Sequence, residues 1–88
     1  SADVNDDFLE AVRDGNTEKV KLLLRSKVNL NARDSRDFTA LMLAATDNSN
    51  EIVKLLLDAK VDVNVKQKET GKTALMMASA NGHYDVVK

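Results

Sequence analysis

Apolar residues recur along the chain at helical spacing, in short blocks separated by polar turns. In 40–47, Leu41, Ala44 and Ala45 share one helical face, as Leu75, Ala78 and Ser79 do in 74–81. In 50–59 the inward positions are Ile52, Val53, Leu55, Leu56 and Leu57. Two further blocks, 6–13 and 17–26, have the same character, so five short helices are predicted, with Val86 and Val87 beginning a sixth. Turns between them fall at Gly15, at Asp47-Asn48-Ser49 and at Asn81-Gly82-His83. Gly15, Asn48 and Gly82 are residue types that tolerate positive φ. Thr39 and Thr73 each stand just before a helical block, where a hydroxyl caps the free N–H groups. The irregular polar stretches 29–38 and 62–72 suit projecting hairpins.

The blocks are copies of one another. "EKVKLLL" at 18–24 returns as "EIVKLLL" at 51–57, an offset of 33. "TALM" at 39–42 returns at 73–76, an offset of 34, so the second hairpin has one extra residue. A repeated helix–turn–helix unit of this length buries its apolar face by stacking on its neighbours. The expectation is an all-α solenoid with hairpin loops, in a single domain over 1–88. Its units are a cap at about 6–33, a repeat at 34–66 and a partial repeat at 67–88.

With "TALMLAA" at 39–45, "LLLDAKVDVN" at 55–64 and "GHYDVVK" at 82–88, the repeated unit resembles an ankyrin repeat. The family pattern reads Thr-Pro-Leu-His-x-Ala-Ala, then Gly-His-x-x-Ile-Val, Leu-Leu-Leu, Gly-Ala and Asp-Val-Asn. The likeness spans about residues 6–88. Its departures have consequences. Ala40 and Ala74 replace the proline, and Met42 and Met76 replace the histidine, which removes the family's Thr–His hydrogen bond. Lys27 and Lys60 stand where the family closes the second helix with glycine. A left-handed backbone at either lysine costs about 1 kcal/mol relative to glycine. "SADVN" at 1–5 imitates the end of a preceding unit, but leaves no room for a hairpin and reads as chance or as a helix cap.

Composition narrows the chemistry. The 88 residues are 43% hydrophobic and 31% charged, with no cysteine and a single histidine. Disulfides and a structural zinc site are therefore not expected. No stretch approaches the ~20 apolar residues of a membrane span, and no leader pattern opens the chain. Nothing points to secretion, and an intracellular location is favoured. The net charge of −1 gives no general attraction to nucleic acid or anionic membrane.

"GKT" at 71–73 invites comparison with a phosphate-binding loop. That loop needs a glycine five positions before Gly71, where this chain has Lys66, and residues 74–88 are too few to complete its sheet. Thr73 is instead the second copy of Thr39. His83 sits at a turn, and Asp6 and Asp7 lie at a helix start, where they offset the macrodipole. No catalytic constellation, metal site or cofactor site is expected. Met42, Met76 and Met77 are expected to be packing residues rather than soft ligands.

Charge is unevenly placed. Residues 1–18 hold Asp3, Asp6, Asp7, Glu10, Asp14 and Glu18 against Arg13, whereas 66–72 hold Lys66, Lys68 and Lys72 against Glu69. The resemblance implies a protein-binding surface built from hairpin tips and the exposed flank of each first helix. Mapped onto this chain, that surface is Arg33, Ser35, Arg36, Phe38, Thr46 and Asp47, with Arg13 and Asp14 on the cap. The next unit adds Lys66, Lys68, Glu69, Lys72, Ala80 and Asn81. The implied partner is a protein with an acidic surface. Two other readings stay open. The third unit ends at Lys88 with one side of its first helix uncovered, so this end is expected to be frayed or covered by another molecule, such as a second copy. Asn64 resembles a loop asparagine that is hydroxylated in some ankyrin domains.

Overall fold

The structure, a computed structural model, describes residues 3–80. It contains helices α1 (Val4–Arg13), α2 (Thr17–Leu23), α3 (Ala40–Thr46), α4 (Asn50–Asp58) and α5 (Ala74–Ala80). No strand is formed among the described residues; one isolated antiparallel bridge joins Arg33 and Thr39 at the base of a hairpin. The first helices of the units, α1, α3 and α5, pack in a row, and α2 packs on α4 beside them. Helix pairs α1–α2 and α3–α4 close each unit. The arrangement is a stacked helix–turn–helix solenoid.

Helix starts and stops follow local chemistry. Asp3 caps α1 by accepting the Asp6 N–H at 2.9 Å, so the cap reading of this stretch holds at Asp3. Asn16 caps α2, and Thr39 caps α3 by accepting the Met42 N–H at 3.3 Å. Three helices end in one motif. After α1, α3 and α4, a left-handed residue donates its N–H three residues back, and the next residue donates five back. The left-handed residues are Gly15 (φ 70°), Asn48 (φ 56°) and Lys60 (φ 68°). α2 differs: Arg25 and Ser26 donate to Leu22 and Leu23, and the helix runs out in tight turns at Leu23, short of the expected 26. Lys27 is not left-handed, because no such motif closes this helix.

The core runs continuously through the units. Phe8, Val12, Val20, Met42, Ile52 and Leu56 are its largest fully buried side chains. Ala44, Ala45 and Ala78 are buried too, and their small size lets neighbouring helices approach closely. The leucine triplet does not all face inward. Leu56 is fully buried and Leu55 half-buried, but Leu57 is 45% exposed. Three consecutive helical residues sweep about 200°, wider than one packing face. Leu75 is 53% and Met76 51% exposed, whereas their repeat counterparts Leu41 and Met42 are 6% and 0%. Leu41 and Met42 belong to α3, which packs on neighbouring helices on both sides.

Met42 packs in the core as expected and has a second duty as well. Its sulfur lies 3.5 Å from the Thr39 N–H and accepts from it, closing a capping box in which a thioether takes the place of the family's histidine. Sulfur is a weak acceptor, but the contact is wholly buried. The expected turn at Gly82 and the role of His83 fall outside the described residues.

Candidate partner-binding surface

Hairpin one is organised by a single aspartate. Asp34 Oδ1 accepts the backbone N–H groups of Arg36 (2.8 Å) and Phe38 (2.9 Å), while Asp34 N–H donates to the Phe38 carbonyl at 2.9 Å. Its other oxygen accepts Arg13 Nη2 at 3.2 Å, tying the end of α1 to the hairpin base. Burial pushes the Asp34 carboxyl up, but these hydrogen bonds and the nearby arginines outweigh it and hold the group below its ordinary value.

The tip of hairpin one reaches hairpin two through Asp37, whose backbone is left-handed at φ 66°. Its Oδ2 accepts Arg33 Nη1 at 2.8 Å and the Lys68 N–H at 2.7 Å. The bond from Lys68 and the Arg33 guanidinium hold its carboxyl below the ordinary value. Arg33 Nη1 also donates to the Lys66 carbonyl at 3.0 Å. Gln67, nearly buried, donates from Nε2 to the Arg36 carbonyl at 2.9 Å. Three of these bonds, from Arg33 to Lys66, Lys68 to Asp37 and Gln67 to Arg36, stitch the two hairpins edge to edge. Hairpin two closes on itself, with Gln67 N–H donating to the Lys72 carbonyl and Gly71 N–H to the Gln67 carbonyl. Gly71 is left-handed at φ 69°. The glycine of "GKT" thus has a turn-forming duty.

The surface residues expected from sequence fall into three groups. Arg13, Arg33 and Thr46 are engaged within the fold: the two arginines on Asp34 and Asp37, and the Thr46 hydroxyl on the Met77 sulfur at 3.9 Å. Phe38 is half-buried against the core, and the Arg36 guanidinium lies over its ring at 5.1 Å from the centroid. Asp14, Ser35, Arg36, Asp47, Lys66, Lys68, Glu69 and Lys72 are exposed. Ala80 ends α5 and Asn81 lies outside the described residues. Asn64 is exposed; its repeat counterpart Asn31 accepts the Asp62 N–H at 3.2 Å in a bond between units. Asp34, Asp37 and Gln67, the residues that organise the surface, were not among those expected.

The family model for ankyrin repeats matches residues 8–88 as three copies. The chain belongs to the ankyrin-repeat family. No curated protein matches it. Ankyrin repeats generally mediate protein–protein interaction, and the family is typically non-enzymatic. No helix among the described residues is long and apolar enough to cross a membrane.

Proposed function

We propose that this ankyrin-repeat chain is a non-catalytic scaffold that binds a protein with an acidic surface, using its hairpin tips and the flank beside them. One observation carries the charge preference. Of the six cations on this surface, Arg13 and Arg33 are neutralised by aspartates, whereas Arg36, Lys66, Lys68 and Lys72 form no ion pair. The four lie on the two stitched hairpins, where 33–38 and 66–72 together hold five cations against Asp34, Asp37 and Glu69, so that edge carries a net positive charge. Exposed charges of this kind steer encounter and set specificity more than they add affinity.

The test is the association rate of the captured partner across ionic strength. Lys68→Glu with Lys72→Glu slows association and flattens its salt dependence, while the helical signal is unchanged. Equal rates for parent and variant at every salt concentration would remove the acidic-partner reading.

A further inference from the structure

The two hairpins are repeats of each other, yet they treat their cation differently. In hairpin one, Arg33 is satisfied internally by Asp37, at 2.8 Å. In hairpin two, Lys66 stands at the position of Arg33 and Gly71 at that of Asp37. Gly71 keeps the left-handed backbone, at φ 69° against 66° for Asp37, but brings no carboxylate. Lys66 is exposed and has no ion pair. The place the missing side chain would take is open: a Cβ on Gly71 meets nothing within 4 Å. Lys68 and Lys72 flank it, and Glu69, the one acidic residue of 66–72, pairs with none of them.

We propose that hairpin two is a receptor for a carboxylate side chain of the partner protein, which takes at Lys66 the place that Asp37 takes at Arg33. This rests on the protein-binding reading above and names the anchor within it. The ligand class is an aspartate or glutamate side chain in an acidic segment. Lys66 supplies the paired charge, and its neighbours Lys68 and Lys72 add to the attracting field. The internal precedent also indicates the geometry, with the carboxylate approaching over the glycine turn.

The chain itself supplies the test. Gly71→Asp restores the internal carboxylate, and aspartate already occupies this backbone conformation at position 37. Gly71→Asn imposes the same backbone demand without the charge. With isotope-labelled full chain and a hexaglutamate peptide as probe, amide shifts in the parent are expected to concentrate at 66–72. Gly71→Asn retains them with a similar dissociation constant, and Gly71→Asp weakens binding roughly twofold to fivefold, the scale of one exposed ion pair. Equal binding by the Asp and Asn variants overturns the proposal. Shifts at Arg36 but not at 66–72 overturn the anchor and leave the acidic-partner reading standing. No shift at either hairpin overturns both.

Discussion

Three residues other than glycine hold a left-handed backbone among those described, and each has a different reason to be there. Asn48 is a residue type that tolerates this conformation. Asp37 uses it to aim a carboxylate at the neighbouring hairpin. Lys60 gains nothing comparable: its N–H donates to the Leu57 carbonyl, a bond that glycine would make equally well. Lys60→Gly is therefore expected to raise stability by several tenths to about 1 kcal/mol, with relief of strain exceeding the added freedom of the unfolded chain. Lys27→Gly is expected to lower it, because Lys27 is not left-handed and glycine brings only that freedom. Urea midpoints measure both, and a higher midpoint for Lys27→Gly than for Lys60→Gly would contradict the assignment.

At the scale of the element, hairpin one depends on two carboxylates whose folded values lie below the ordinary aspartate value. The sign follows from linkage. Stability from a depressed carboxyl is fully present above the unfolded value, about 3.9, and is lost as pH falls through the lower folded value. The Phe38 and Lys68 amides, which donate to these groups, are expected to hold their shifts down to about pH 4 and move only below it. Movement centred above pH 4 would show that the bonds do not hold the hairpin. Helices were far more legible than this hairpin. Thr39, Gly15 and Asn48 act within a few residues of themselves, so their duties can be read locally. Asp37 and Lys68 are 31 residues apart in sequence, and only the stacking of units brings them together. The extra residue of hairpin two also blurs the alignment of Asp37 with Gly71, the one clue the repeat offers. The end of α2 is hidden from its sequence for a related reason. Its sequence copies α4, but Arg25 and Ser26 turn into i→i+3 bonds and the left-handed stop at position 27 is never formed.

At the scale of the molecule, each unit buries one apolar stripe against the next. Fully burying an aliphatic side chain contributes about 1.5–3 kcal/mol, a large share of a small domain's margin. Repetition made this architecture legible, since an offset of 33 or 34 residues fixes both the unit and its stacking. It also set the limit of what could be read. Leu75 and Leu41 occupy equivalent positions, yet their exposure differs because their neighbours do. That cations cluster on the hairpins was legible, but their division into engaged and unpaired ones was not, since that depends on which aspartates the stacking brings near. The central claim is that a protein partner docks on the hairpin edge rather than on the outer helices. Photo-crosslinking residues placed singly at Arg36 and Glu69 on the hairpins, and at Lys21 and Lys54 on α2 and α4, test this most directly; all four positions are exposed. The expected result is a discrete protein adduct from positions 36 and 69 and none from 21 and 54. Adducts from 21 or 54 that equal or exceed those from the hairpins would contradict it.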